Sequence, residues 1–142
     1  MQEIYIDKTF QLPLDRVFTM LSDHERLGVV LGANIRRIKD GHQGGANGLG
    51  SVREISIVPG LSFEETVTAF DEKKRIEYVI SKGSPLKNHK GVMEFSEEGG
   101  KARLRYRIVF ETQLPVPFLG KVIAWGLDRN ISKGLEKVNT LA

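Results

Sequence analysis

The side chains of this sequence that could do chemistry are few, and most of them fall on alternating stretches. His89, Glu65, Arg53 and Tyr106 are the polar residues that the pattern places among apolar ones. In His89-Lys-Gly-Val-Met-Glu-Phe95 every second residue shares a face with Met93 and Phe95, so His89 is directed to the covered side of a strand. There it could hydrogen-bond a ligand or act as an acid–base group; the alternative is a histidine satisfied by backbone at a strand start. Glu65 alternates with Phe63, Val67 and Ala69, and a carboxylate on a buried face must be paired or protonated. Arg53 has the parity of Ile55 and Ile57 on the preceding strand, which makes an internal Arg53–Glu65 pair the expected partner, structural or ligand-anchoring. Tyr106 has a hydroxyl that needs a partner in protein, water or ligand.

Other chemistry is harder to assemble. His24 and His42 fall in a helix turn and a glycine loop, where both are expected to be exposed. The three histidines have no metal-ligand spacing, so no metal and no cofactor are expected. Without cysteine there is no thiol nucleophile or disulfide. No Ser-His-Asp or paired-carboxylate constellation emerges, and no catalytic residue is assigned. The run Gly41-His-Gln-Gly-Gly-Ala-Asn-Gly-Leu-Gly50 joins two strands and lacks a following Lys-Ser/Thr, so it reads as a mobile hairpin connection rather than a phosphate cradle. Arg103, Arg105 and Arg107 form a basic row beside Glu94 and Glu111, which reads as a solvated sheet face and not a nucleic-acid site. A net charge of +3 is too small to point to nucleic acid by itself.

The elements that must position these residues follow from periodicity. Strands are expected over about 3–11, 34–40, 50–58, 62–71, 75–82, 89–97 and 101–113. Two short helices lie between the first two strands, one entered at Pro13 and one capped by Asp23 and stopped at Gly32. A turn over 97–100 with Ser96 facing Lys101 would set Phe95 against Ala102 and Gly91 against Tyr106. From Val116 to Ala142 one long amphipathic helix is expected, with Gly120, Ile123, Ala124, Leu127, Ile131, Gly134, Leu135, Val138 and Leu141 on its buried stripe. Gly120 and Gly134 there would admit a close-packed strand or something that is not protein. Phe118, Val122 and Trp125 lie about 180° away; they could pack under loops, form a homodimer contact, or form a membrane contact. At 142 residues one domain is expected, spanning 1–142. No signal-peptide run or transmembrane segment is apparent, which fits a cytoplasmic protein.

This order of elements resembles the helix-grip fold of the START, polyketide-cyclase and birch-pollen-allergen (SRPBCC) superfamily, polyketide cyclase/dehydrase type. The matching features are Pro13-Leu-Asp-Arg-Val-Phe18, Leu21-Ser-Asp23, Gly50-Ser-Val-Arg53, and Glu64-Glu-Thr-Val67 leading to Phe70-Asp71. The resemblance implies an α+β fold in which a seven-stranded antiparallel sheet curls around the C-terminal helix, with an apolar ligand cavity between them. A local similarity to plant abscisic-acid receptors adds a gate: Val58-Pro-Gly-Leu-Ser62 is similar to their Ser-Gly-Leu-Pro loop, and Leu86-Lys-Asn-His-Lys-Gly-Val92 to a pocket-lining segment. Their pocket tyrosine and serine fall on His89 and Gly91, and their two glutamates on Glu65 and Ile108. Their lysine falls near Leu31, so the implied cavity is more apolar than one built for a carboxylate hormone.

The expected ligand-binding residues are therefore Arg53, Ile55, Ile57, Glu65, His89, Met93, Tyr106, Ile108, Leu127 and Ile131, gated by Pro59, Gly60 and Leu61 and by Ser84, Pro85 and Leu86. The reading favours a binder of an apolar small molecule or lipid over an enzyme. The alternatives are a cyclase or dehydratase acting on a polyketide-like substrate, and a ligand-dependent protein-interaction module.

Overall fold

The computed structural model describes residues 1–58, 61–84, 86–112 and 118–141, apart from the side chains of Ile57, Val58, Leu61 and Leu141. Alternating apolar residues make seven strands: β1 (Gln2–Thr9), β2 (Asn34–Lys39), β3 (Val52–Val58), β4 (Leu61–Asp71), β5 (Arg75–Lys82), β6 (Leu86–Glu98) and β7 (Lys101–Thr112). Helices α1 (Leu14–Ser22) and α2 (His24–Leu31) follow β1, and α3 (Leu119–Leu141) closes the chain. The strands form one antiparallel sheet in the order β1-β7-β6-β5-β4-β3-β2, curled as the helix-grip resemblance implies. The expected start of the last helix at Val116 lies outside the described residues; its described part begins at Leu119, after Phe118 at a φ of 65°.

Local chemistry sets the helix ends. Asp23 Oδ1 accepts from the backbone N–H groups of Glu25 and Arg26 at 3.0 and 3.1 Å, capping α2. Gly32 ends α2 in the left-handed region. Along α3, Ile131, Leu135 and Val138 are buried, and the Gly134 backbone lies against the Val30 carbonyl and Leu31. The close neighbour at Gly134 is thus a helix, not the strand expected; α2 and α3 can touch there because glycine has no Cβ. Gly120 instead meets the flexible Gln2 side chain. Since Gln2 neighbours Gly120, and the Gln11 N–H donates to Asn139 Oδ1 at 2.9 Å, α3 runs in the same direction as β1.

The β6–β7 hairpin differs from the expected register. Glu98 faces Lys101, Phe95 faces Leu104, Met93 faces Tyr106 and Gly91 faces Ile108. Gly99 and Gly100 both have positive φ, so they form the whole turn as a two-residue loop, where a four-residue turn had been expected. The slip is two residues, so the buried and wet faces are unchanged while every partner moves. Gly91, Met93, Phe95, Ala102, Leu104, Tyr106, Ile108 and Phe110 are all buried. On the wet face Arg103 binds Asp7 and Glu98, and Arg107 binds Glu3.

Two further expectations change. A bulge between Val67 and Ala69 reverses parity in β4, so Phe70 rather than Ala69 turns inward and packs on Phe18. The glycine loop, expected to be mobile, is tied to itself: His42 N–H donates to the Leu49 carbonyl and Leu49 N–H to the Gln43 carbonyl. It is also tied outward, because Asn47 Oδ1 accepts from the His24 N–H and from Arg37.

The tyrosine over the empty position at Gly91 is Tyr78, not Tyr106. A Cβ added to Gly91 would fall within the Tyr78 ring, which is buried. We expect Gly91→Ala to lower stability by about 1–3 kcal/mol, the usual cost of overpacking a filled core. Urea unfolding followed by circular dichroism measures it; an unchanged midpoint would show that the Tyr78 ring can move aside.

Candidate functional site

The polar residues of the interior meet on β3, β4, β5, β6, β7 and the first turn of α2. Arg53 and Glu65 lie directly opposite each other on β3 and β4. Arg53 Nε and Nη2 donate to Glu65 Oε1 at 2.9 and 2.7 Å, with both side chains under 10% exposed. The guanidinium also lies over the Tyr78 ring, 4.6 Å from its centroid. The Tyr78 and Tyr106 hydroxyls hydrogen-bond to each other. Burial pushes both phenols up, Tyr106 to about 12, so each keeps its proton. Burial also pushes the Glu65 carboxyl up, against the pull of Arg53. Burial opposes the charge on Arg53, but the Glu65 carboxylate offsets this and the guanidinium stays protonated.

His24 belongs to the same cluster, contrary to the expectation that it would be exposed. It is 2% exposed, because α2 lays its first turn on the strand that begins after Ser51. Its hydrogen bonds define its tautomer. Ser51 Oγ donates to the Gly48 carbonyl at 2.7 Å, so it accepts from His24 Nε2 at 2.9 Å. His24 Nδ1 is then unprotonated and faces Arg53 Nη1 at 3.4 Å. Burial, followed by the charges of Arg53 and Arg37, lowers its pKa to about 3. His42 is exposed, as expected.

His89 is half-buried at the start of β6. Asn88 has a φ of 52°, and the β6–β7 register shifts between Lys87 and Lys90. At this irregularity the Ile80 N–H donates to His89 Nδ1 at 3.1 Å, where a regular ladder would offer a backbone carbonyl. That bond places the imidazole proton on Nε2, which no described residue engages. Burial and then Arg53 lower its pKa to about 4, so the ring is a neutral donor near pH 7.

Of the other expected site residues, Met93, Tyr106, Ile108 and Ile131 are buried in the core. Ile55, Leu86 and Leu127 pack against that core while remaining partly exposed. Pro59, Gly60 and Pro85 and the side chains of Ile57 and Leu61 lie outside the described residues. In the second expected gate, Ser84 Oγ accepts from the Leu86 N–H at 3.1 Å, and Leu86 already belongs to β6.

These placements divide the space under α3 in two. At the α1–α2 end Phe10, Val17, Phe18, Leu21, Leu135 and Val138 pack with almost no exposure. At the other end, beside Gln2 and Leu86, the α3 residues Ile123, Ala124 and Leu127 are only partly covered, as is Ile55 across the sheet. The polar cluster lies between. Among the described residues two surface hollows stand apart from this region: one beside Gln43, Leu49 and Phe70, and one where Leu31 meets Lys133 and Thr140.

Sequence reasoning missed Tyr78, Ser51 and His24. Tyr78 has the inward parity of Ile76 and Ile80. His24 shares a helical face with Leu27, Gly28 and Leu31, a spacing that marks a covered side. Ser51 has no comparable signal; it is buried because it receives His24.

The fold has many relatives of low sequence identity. A START superfamily protein from Mycobacterium smegmatis superposes with a TM-score of 0.79 at 17% identity, covering 99% of both chains. Norcoclaurine synthase from Thalictrum flavum, solved with dopamine and hydroxybenzaldehyde, gives 0.70 at 16% identity, covering 96% of this chain and 85% of its own. Ara h 8.0201 gives 0.70 at 16%, covering 98% of each chain. No protein of curated function matches in sequence. The family described as polyketide cyclase / dehydrase and lipid transport matches residues 1–142 throughout. The chain therefore belongs to that family, within the START-like SRPBCC superfamily.

Proposed function

We propose that this protein binds a hydrophobic small molecule or lipid between the sheet and the first half of α3. The observation that carries this reading is the contrast between the two ends of the core. Ile55, Leu86, Ile123, Ala124 and Leu127 gather at one end partly uncovered, while Phe10, Val17, Phe18, Leu21, Leu135 and Val138 toward the other are almost wholly buried. Apolar faces turned toward each other and left incompletely buried favour an apolar guest. The family description includes lipid transport, and norcoclaurine synthase holds two small aromatic molecules on this fold, which supports the same reading.

The polar cluster supports a carrier over a catalyst. Arg53, Glu65, Tyr78, Tyr106 and His24 satisfy one another, and among the described residues no buried side-chain polar atom lacks a partner. Among the described residues of this cluster, His89 Nε2 is the neutral donor left to meet a guest. The preferred ligand is then apolar with a neutral oxygen acceptor.

Native mass spectrometry of protein purified from its host, with extraction of any bound molecule, tests this directly. With the extracted molecule in hand, His89→Ala is expected to weaken binding roughly two- to twelvefold, the equivalent of one hydrogen bond at about 0.5–1.5 kcal/mol. Titration calorimetry measures that, beside a product assay. If wild type converts the molecule, and His89→Ala binds it normally while losing turnover by about 10²–10⁴, the protein is an enzyme of the cyclase or dehydratase kind instead.

A further inference from the structure

α3 has a second apolar face that nothing in the core uses. Phe118, Val122 and Trp125 are 72%, 62% and 65% exposed, which rules out packing under loops. At about 100° per residue Val122 and Trp125 lie within roughly 60° of one another, opposite the Ile123–Leu127–Ile131 stripe, and Phe118 stands just before the first turn, its carbonyl accepting from the Val122 N–H at 3.1 Å. Two cations share this face with them. Lys121 Nζ is 5.8 Å from the Phe118 ring centroid, and the Arg129 guanidinium is 5.5 Å from that of Trp125. Gly120 places the start of α3 beside Gln2, at the same end of the sheet as Leu86 and the partly covered apolar residues.

We infer that this face of α3 docks on the surface of a bilayer containing anionic lipid. An aromatic and aliphatic cluster flanked by lysine and arginine matches the two layers of such a surface. The rings reach the acyl boundary, and the cations stay level with the phosphates. The buried stripe holds the other side of α3 to the fold, so the helix can lie in the interface without leaving the domain. A second copy of the chain is a worse occupant. A two-fold contact sets the patch against itself, bringing Lys121 and Arg129 against their own counterparts. Two aromatic side chains, at roughly 150–250 Å² each, and one valine also fall short of the ~800 Å² per partner of a stable interface. Docking here would turn the partly open end of the core toward lipid. That use rests on the proposed function, but the docking itself does not.

Trp125 is the only tryptophan in the chain, so its fluorescence reports on this face alone. The probes are phosphatidylcholine vesicles with and without a quarter of phosphatidylglycerol, plus the same vesicles with brominated acyl chains. On anionic vesicles we expect co-sedimentation, a blue-shifted Trp125 emission, quenching by the brominated chains, and weakening with salt. Phe118→Ser/Val122→Ser, which keeps the reporter, is expected to reduce partitioning at least about tenfold, and Lys121→Glu/Arg129→Glu to abolish it. All four positions are on the outside, so thermal unfolding of the variants should match wild type.

Equal binding to neutral vesicles, or no spectral change with anionic ones, overturns the inference. So does a blue shift that grows with protein concentration without lipid and accompanies a doubled mass in sedimentation velocity. The vesicle assay uses protein stripped of any bound molecule. A failed search for a bound molecule therefore leaves its result standing, and failed docking leaves the binding reading intact.

Discussion

Arg53→Met is expected to lower the free energy of unfolding by about 3–5 kcal/mol, and Glu65→Leu by a similar amount. Each leaves its partner as an uncompensated charge inside the sheet, since both side chains are under 10% exposed. Arg53→Met also removes the donor facing His24 Nδ1 and the cation over the Tyr78 ring. The double variant Arg53→Met/Glu65→Leu should recover most of the loss, because two apolar side chains of similar volume carry no desolvation penalty. Urea unfolding of all four proteins by circular dichroism gives the coupling directly. If either single variant fails to fold, recovery in the double variant still decides the matter. A double variant as unstable as the sum of the singles would mean that the pair is not the unit described. The test also bears on ligand binding. A double variant that folds and still binds the extracted molecule would show that Arg53 and Glu65 are scaffold.

Acidification from about pH 7.5 to about pH 5 should cost roughly 2–4 kcal/mol of stability. His24 and His89 have folded pKa values of about 3 and about 4, against 6.5 for a free histidine. The unfolded chain therefore takes up protons first as pH falls, and unfolding is favoured by about 1.4 kcal/mol per unit for each ring. The stabilisation is complete above pH 6.5 and fades progressively toward the folded values. His89 is half-buried and contributes the smaller share. The depressed carboxylates Asp7, Glu77 and Glu111 act below the histidine window, whereas Glu65, raised by burial, takes up its proton earlier in the folded chain and offsets part of the loss. His24→Gln should be less stable at about pH 7.5 but show a shallower loss, by about half. Identical unfolding midpoints at both pH values would contradict the buried neutral state of His24.

The architecture could be read from the chain because its signals are local. Alternation marked the strands, Asp23 and Gly32 marked the ends of α2, and the apolar stripe of α3 marked its buried side. Facing was legible as well, since a period of two survives a register error of two. Partners were not legible in the same way. Whether Gly99-Gly100 alone turns the chain depends on two backbone dihedrals, and that choice moved Tyr106 from Gly91 to Met93. The bulge after Val67 likewise exchanged Ala69 for Phe70. At the candidate site, Arg53 and Glu65 could be paired because both lie mid-strand with clear parity. His24 could not, because its burial depends on α2 docking across Ser51, between segments far apart in sequence. The glycine loop shows the same limit: composition suggested slack, but Asn47 fastens it to α2 and Arg37.

The sheet order also sets a timetable for synthesis. From β3 to β7 each strand pairs with the one made just before it. That part of the sheet can zip up hairpin by hairpin as the chain emerges. β1 is the exception: Gln2 pairs with Phe110, so the first strand made has no partner until the last one appears. At about 5–20 residues per second that is a wait of roughly 5–20 seconds, during which Ile4 and Ile6 have no sheet to join. The slow step in building this protein on the ribosome is then set by when β7 clears the exit tunnel.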